Sequence, residues 1–250
     1  HLDPDVTLEN LSDQRTGFQI AGPKAFEVLS DVCQIQPLGM SFLDVRKMTL
    51  GLYDCLVQRV SYTGDLGFEI YIDRMHQRGL FDLLWAAGQR HGMQPFGMRA
   101  MMSLRLDKFF GSWMNEYSPD YTAGETGLDR FIDFNKPVDF IGRAAAEKER
   151  SAGPVRCLVA FEVDAEDADV TAYEPVWIDG EVRGFCTSGG YSHYAQKSVA
   201  LALIPRGLSK PGLAAEIEIL GSRRPARLIE TPLFDADGAR MRQDLSAGWS

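Results

Sequence analysis

Two side chains within residues 61–69, which read SYTGDLGFE, are suited to binding a heterocyclic ligand. Tyr62 offers an aromatic face and a hydroxyl, and Glu69 offers a carboxylate. A heterocycle with amide and amino groups needs both, because its ring stacks on an aromatic face and its N–H groups need an acceptor. Gly64 and Gly67 would let the backbone approach such a ligand closely. The same residues are also typical of a β-hairpin with an exposed tyrosine and a solvated carboxylate, so the chemistry of the segment leaves both interpretations open.

No other pattern in the chain specifies a reaction. The sequence has no P-loop, no GxGxxG after a strand, no HExxH and no GxSxG. The histidines lack ligand spacing, and the cysteines are scattered without a CxxC pair: Cys33, Cys55, Cys157 and Cys186. We therefore predict neither a metal site nor a disulfide framework. Free thiols are typical of a reducing compartment, which predicts a cytoplasmic protein.

The charge balance limits the kinds of partner. The chain has 26 Lys and Arg against 35 Asp and Glu, which gives a formal charge of -9. An acidic surface argues against nucleic acid as a partner, because phosphate contacts need clustered cations. An anionic ligand would have to be met by a few local cations. The longest apolar runs are well short of the roughly 20 residues that span a bilayer, so no membrane partner is predicted.

The first part of the chain reads as an α+β unit that would position the tyrosine and the carboxylate. Alternation and β-branched content predict strands, and apolar residues at helical spacing predict two helices. The predicted strands cover residues 6–8, 16–20, 47–60 and 68–72, and the predicted helices cover residues 24–32 and 77–91. We expect helices packed on an antiparallel sheet.

The rest of the chain divides at a turn near residue 150. Helices are predicted over residues 99–110 and 144–150, and the sequence SAGP at 151–154 breaks the second one. Short strands at regular spacing follow, with a hairpin turn at Asp179 and Gly180. We predict an α+β domain over residues 1–150 and a small antiparallel β-barrel or sandwich over residues 151–250.

Five motifs, in the same order along the chain, resemble the glycine-cleavage T-protein and its aminomethyltransferase relatives. They are QIAGPKA at 19–25, SYTGDLGFEI at 61–70, the pair FGMRA and LRLDK at 96–108, FIGR at 140–143 and GFCTSGGYS at 184–192. Within that family, residues 103–113 are most similar to the folate domains of dimethylglycine and sarcosine dehydrogenases. The resemblance implies a helix-on-antiparallel-sheet unit followed by a C-terminal antiparallel barrel.

The resemblance also implies a function, which is the transfer of a one-carbon unit to tetrahydrofolate. In the dehydrogenases a flavin half oxidises an N-methyl amine and the folate half passes the carbon on. In the free-standing T-protein the carbon arrives as an aminomethyl group. The implied cofactor is tetrahydrofolate, with FAD only if a flavin domain is attached upstream. The implied partners are a small N-methyl amine or aminomethyl donor and, in the dehydrogenase case, a flavin domain or subunit.

Three residues match family positions at the folate pocket most directly. Tyr62 and Glu69 line it, with Glu69 accepting from the pterin amino group and ring nitrogens. Arg99 matches a family arginine whose guanidinium would face the glutamate carboxylates of the ligand or lock the pocket. The alternative for Arg99 is a structural salt bridge.

Two aromatic residues are implied at the pocket edge by the same resemblance. Phe110 and Trp113 fall near an aromatic family position, although either suits an ordinary core residue equally well. Arg105 is expected to be structural, as a helix cation that pairs with Asp107 or Glu116.

The catalytic carboxylate of the family lies upstream of residues 19–25 and would therefore precede His1. Asp3, Asp5 and Asp13 fall where the family has a strand and a linker, and none of them is assigned that role. We therefore assign no catalytic residue and expect either part of a longer enzyme or a shortened homologue. A non-catalytic folate sensor or partner-binding relative, and a demethylase of methyl-sulfur or methoxy substrates, remain alternatives.

Overall fold

The computed structural model describes residues 4–33 and 39–245. Asp3, one of the acidic residues considered above, lies outside the described part. The chain divides into two compact units, one formed by residues 1–97 and 237–250 and the other by residues 98–236. The predicted boundary at residue 150 falls inside the second unit, near the end of a helix, and stays a prediction.

The first unit contains a four-stranded antiparallel sheet with two helices on one face. Its elements in chain order are β1 (Arg15–Ala21), α1 (Ala25–Val32), β2 (Val45–Leu50), β3 (Tyr53–Gln58), β4 (Gly67–Asp73) and α2 (Gln77–Arg90). The strands lie in the order β1-β4-β3-β2. The strand predicted over residues 6–8 is wrong, because this segment has no regular secondary structure and leaves Leu8 80% exposed.

Alternation along β4 separates the two faces of this sheet. Phe68, Ile70 and Ile72 are fully buried and join a core that includes Leu29 of α1 and Leu80 of α2. Burying each such side chain contributes about 1.5–3 kcal/mol, so this face largely stabilises the unit. The residues between them in β4 point to the opposite face of the sheet.

The C-terminal segment belongs to the first unit and is held there by a buried cation. Arg59 is 2% exposed. Its guanidinium donates to the backbone carbonyls of Met40, Met241 and Gln243. Hydrogen bonds from a charged donor are among the stronger ones in proteins. Arg59 therefore links a short C-terminal helix, Ala239–Arg242, to the sheet unit.

The second unit consists of three helices and a closed six-stranded barrel. The helices are α3 (Met98–Leu106), α4 (Ala123–Thr126) and α5 (Arg143–Ala152), and the strands are β5 (Arg156–Val163), β6 (Pro175–Ile178), β7 (Glu181–Ser192), β8 (Lys197–Pro205), β9 (Ala214–Ile219) and β10 (Ser222–Ile229). The barrel order is β10-β5-β8-β7-β6-β9, and each strand pair is antiparallel. The predicted fold class, an α+β unit followed by an antiparallel barrel, is confirmed.

Local sequence explains how the barrel closes. Asp179 and Gly180 have φ values of 51° and 80°, the two positive values of a type I′ hairpin turn between β6 and β7. In β7, a Cβ added at Gly184 would lie 2.3 Å from the carbonyl oxygen of Leu203. Only glycine therefore allows the close approach of β7 to β8 at this point.

Helix α3 ends earlier than its sequence predicts. The predicted helix runs to residue 110, whereas α3 ends at Leu106. Phe109 adopts a φ of 57°, in the left-handed region that a bulky side chain rarely enters. The Phe109 ring packs against Leu106, Ala160 and Leu201, and burial of this ring offsets the cost of the turn.

Candidate functional site

The glycine-rich segment is a tightly packed loop between β3 and β4. The Ser61 hydroxyl accepts a hydrogen bond from the Gly64 N–H at 3.0 Å, and Gly64 has a φ of 88°. A Cβ at Gly67 would lie 2.9 Å from the carbonyl oxygen of Val60. These glycines therefore let the chain pack against itself, which is a sufficient reason for their presence. Tyr62 is half-buried in this loop.

Glu69 lies on the face of the sheet opposite the helices. Its register partners are Gln19 in β1 and Gln58 in β3, so a row of polar side chains crosses three strands. The Tyr71 hydroxyl donates to Glu69 Oε2 at 2.8 Å. Within the described part of the chain, this is the only hydrogen bond that the Glu69 carboxylate accepts. The carboxylate thus keeps capacity for further donors, since an ionised carboxylate offers about four acceptor positions.

A groove of about 950 Å³ follows the same face of the sheet. Tyr71, Gln58 and Leu56 line it, and it also carries three cations together with one carboxylate: Arg15, Arg46, Lys47 and Asp54. The Arg46 guanidinium also pairs with Asp44 at 3.1 Å. Local cations therefore accompany the face that presents Glu69, although the chain as a whole is acidic.

Tyr71 is a candidate site residue that the sequence interpretation did not identify. Its hydrogen bond to Glu69, together with burial, raises the pKa of the Tyr71 phenol to about 12. The phenol therefore remains a donor at neutral pH. A usable signal was present in the sequence, because residues two apart in a strand share a face and Tyr71 follows Glu69 by two positions.

The predicted ligand residues of the second unit are placed differently. Arg99 is exposed on α3 and makes no ion pair with the described residues, so the structural salt bridge considered for it is not observed. Phe110 is half-buried, whereas Trp113 is 84% exposed and is not a core residue. Two of the predicted ligand residues, Tyr62 and Glu69, belong to the first unit. The other three belong to the second unit, and each set is described within its own unit: Arg99, Phe110 and Trp113.

A buried polar cluster holds the loop that carries Phe110 and Trp113. Glu116 is fully buried, and its carboxylate accepts from the Ser112 N–H at 2.8 Å, from Arg105 Nη1 at 3.3 Å and from the Ser188 hydroxyl at 2.5 Å. Arg105 also donates to the Phe110 carbonyl at 2.9 Å. Of the two partners predicted for Arg105, the structure selects Glu116.

Asp107, the other predicted partner, has a separate environment. It is 3% exposed, and its Oδ1 has no hydrogen-bond partner among the described residues. Burial raises the pKa of the Asp107 carboxyl, which a hydrogen bond from Ser192 and the nearby His193 only partly oppose. Burial of this kind disfavours the charged form of a carboxyl relative to the exposed group.

The described residues contain no group of three or more His, Cys, Asp or Glu side chains that could hold a metal ion. Over the same residues, no helix is long and apolar enough to cross a membrane. Asp5 and Asp13, which fall where the family has a strand and a linker, are both exposed.

Comparison with protein families defines the class to which the chain belongs. Residues 1–136 match the model of the GCVT N-terminal domain, and residues 156–235 match that of the glycine cleavage T-protein C-terminal barrel domain. The chain therefore belongs to the glycine cleavage T-protein family, as its five motifs indicated.

Individual relatives include both kinds of protein suggested by those motifs. The dimethylglycine dehydrogenase of Mus musculus, a mitochondrial protein, is 37% identical over 240 residues, which is 95% of this chain and 28% of the relative. The aminomethyltransferase of Geobacillus sp. (strain WCH70) is 32% identical over 235 residues, or 94% of this chain and 64% of that protein. The chain thus spans less than two thirds of either relative.

A solved structure shares the fold. The glycine cleavage system aminomethyltransferase T from Bartonella henselae superimposes with a TM-score of 0.80 at 24% identity. The superposition covers 89% of this chain and 60% of that one.

Proposed function

We propose that this chain is the folate-binding part of an enzyme that transfers a one-carbon unit to tetrahydrofolate. Family membership and the similarity to aminomethyltransferases and dimethylglycine dehydrogenases support this proposal. The observation that carries it is Glu69, a strand carboxylate on the sheet face opposite the helices, which among the described residues accepts one hydrogen bond, from Tyr71.

The chemistry of Glu69 suits the pterin end of tetrahydrofolate. An amino group and an adjacent ring N–H present donors side by side, and a carboxylate accepts two such donors at once. The half-buried Tyr62 supplies an aromatic face for the ring. When bound, tetrahydrofolate supplies the nitrogens that take up the one-carbon unit; Glu69 and Tyr62 bind and orient it.

The residues of the second unit are proposed as further ligand contacts. The exposed Arg99 guanidinium suits the glutamate carboxylates of the ligand, since the planar cation matches a carboxylate in geometry. Phe110 and Trp113 offer apolar faces for the rest of the molecule.

The carbon donor and the cellular location are further parts of the proposal. We propose a small N-methyl amine or an aminomethyl donor as the source of the carbon. FAD would be required in a flavin domain or subunit if the complete protein is a dehydrogenase. Free cysteines suit the cytoplasm, which we propose as the location, although the mouse relative is mitochondrial.

Titration of the purified chain with tetrahydrofolate tests this proposal. Glu69→Ala should weaken binding about 10- to 100-fold, because two donors of the ligand lose a charged acceptor. Asp82→Ala is the matched control, since it removes a carboxylate from α2 on the other side of the same sheet and should leave the affinity unchanged. Absence of binding by the wild-type chain would refute the proposal for this chain.

Transfer is measured separately from binding. Incubation with tetrahydrofolate and an aminomethyl donor should produce methylenetetrahydrofolate, detected by chromatography. Tight binding without any transfer would instead favour the non-catalytic folate sensor. Transfer from a methyl-sulfur or methoxy compound would favour the demethylase.

A further inference from the structure

The Tyr71 side chain is placed next to Glu69 by the strand geometry itself. Both residues lie in β4, two positions apart, so their side chains leave the same face of the sheet. The two groups meet at 2.8 Å between the Tyr71 hydroxyl oxygen and Glu69 Oε2. Tyr71 is 36% exposed, and its ring lies close to Gly17 of the neighbouring strand β1.

Gly17 gives the Tyr71 ring its position. It is the register partner of Tyr71 in β1, and a Cβ added to it would lie 3.2 Å from Cε1 and 3.3 Å from Cδ1 of the ring. A glycine inside a strand weakens it relative to alanine. An aromatic side chain that covers the glycine from the neighbouring strand recovers part of that loss. Gly17 thus leaves room for the Tyr71 ring beside β1 while the hydroxyl of that ring reaches Glu69.

The hydroxyl restricts how the carboxylate is used. It occupies one acceptor position on Oε2, and the two positions on Oε1 and the second on Oε2 remain. A carboxylate on a flexible side chain samples several rotamers, and one fixed hydrogen bond removes most of that freedom. The hydrogen bond from Tyr71 therefore favours one orientation of the Glu69 carboxylate before a ligand arrives.

We propose that Tyr71 is a positioning residue of the folate site, which orients the Glu69 carboxylate toward the donors of the pterin. This inference rests on the proposed function. It adds a residue that neither the motifs nor the family comparison assigned, and it gives Gly17 a role in the same arrangement.

The decisive variant is Tyr71→Phe, which keeps the ring and removes only the hydroxyl. We expect tetrahydrofolate to bind about three- to tenfold more weakly, because Glu69 must then be ordered by the ligand. In a Glu69→Gln background, the same change should alter affinity less than about twofold, since the group it positions is already lost. Tyr53→Phe is the matched control: Tyr53 packs on the helix side of the sheet, and its hydroxyl should not affect binding.

A second variant moves the ring without touching the hydroxyl or the carboxylate. Gly17→Ala should push the Tyr71 ring aside by a few tenths of an ångström and weaken binding in the same direction as Tyr71→Phe. Gly207→Ala is its control, because a Cβ there would meet no atom within 4 Å.

The Tyr71–Glu69 contact is tested without any ligand. Carbon NMR of chain labelled at the tyrosine ring Cζ, with Tyr71→Phe used for assignment, follows the ionisation of Tyr71. In the wild-type chain Tyr71 should stay protonated until about pH 12, and in Glu69→Gln it should titrate nearer the ordinary value of 10.0.

These results separate the inference from the function on which it rests. Tetrahydrofolate binding that needs Glu69 but is unaffected by Tyr71→Phe would overturn the positioning role and leave the proposed function standing. An unchanged Tyr71 titration in Glu69→Gln would overturn it as well. A wild-type chain that does not bind tetrahydrofolate would overturn both.

Discussion

Removal of Glu116 is the sharpest test of the structure of the second unit. Its carboxylate is fully buried and accepts from the Ser112 N–H, the Arg105 guanidinium and the Ser188 hydroxyl. Glu116→Ala leaves the Arg105 cation buried without its counter-charge, and it leaves the Ser112 N–H without an acceptor. Breaking a buried pair from one side typically costs about 3–5 kcal/mol, so we expect a loss of this size.

A second variant separates the charge of Glu116 from its shape, and a third serves as a surface control. Glu116→Gln keeps the shape and one acceptor oxygen, but its NH2 group replaces the other oxygen. That NH2 would face either the Ser188 hydroxyl or the Arg105 and Ser112 donors, so we expect a smaller loss of about 1–3 kcal/mol. Glu181→Ala is the control, because its ion pair with Arg183 at 2.8 Å lies on an exposed hairpin. Such a surface pair contributes about 0–1 kcal/mol.

The assay is urea unfolding followed by circular dichroism, with the free energy extrapolated to water at constant m-value. A double variant, Arg105→Met with Glu116→Leu, should lose less than the sum of its single changes, because both charges leave the interior together. A loss below about 1 kcal/mol for Glu116→Ala, or strictly additive single changes, would refute the assignment of this cluster as one coupled ionic unit.

Three other predictions concern titration and reactivity in the second unit. Burial works to raise the pKa of Glu125, but hydrogen bonds from Arg156 and the Thr122 N–H outweigh it and hold the pKa below the ordinary 4.5. The ionised Glu125 carboxylate therefore stabilises the fold above pH 4.5, and this stabilisation is lost as the pH falls through the lower folded-state pKa. In Glu125→Gln, the melting temperature should depend less on pH in that acidic range. Asp107 has the opposite sign: because burial raises its pKa, the free energy of unfolding falls as the pH rises above 3.8, and Asp107→Asn should raise the melting temperature at neutral pH. Burial also raises the pKa of the fully buried Cys186 thiol to about 12, so a thiol reagent near neutral pH should label Cys186 only after unfolding, as mass spectrometry of peptides would show.

The general architecture could be predicted because local signals and burial agree in most of this chain. The Asp179–Gly180 pair requires two positive φ values, which few residues adopt, and the hairpin forms where these residues stand. Strand β4 alternates between buried and more open positions from Phe68 to Asp73, so its two faces follow from the sequence. Residues 6–8 carry the same β-branched character but find no strand to pair with, and propensity alone does not form a strand.

The details of the site depend on contacts that sequence spacing does not specify. Arg105 had two acidic candidates, and the choice of Glu116 is made by Ser188, which is far away along the chain and reaches the cluster only through the barrel. The early end of α3 has a similar cause. Helical spacing continues past Leu106, but the packing of the Phe109 ring turns the chain away.

The two proposed contacts of the first unit differ in how firmly the fold holds them. Glu69 lies in β4, which is paired on both sides by β1 and β3, and Tyr71 fixes its carboxylate. Tyr62 lies in the loop before that strand. Groups on regular elements are held more precisely than groups on loops, because hydrogen bonds on both sides of the backbone restrict them. Glu69 should therefore determine which heterocycle is accepted, and Tyr62 should contribute affinity through its ring. We therefore expect the Tyr62→Phe chain to keep its preference for tetrahydrofolate. We expect the Glu69→Gln chain to lose that preference.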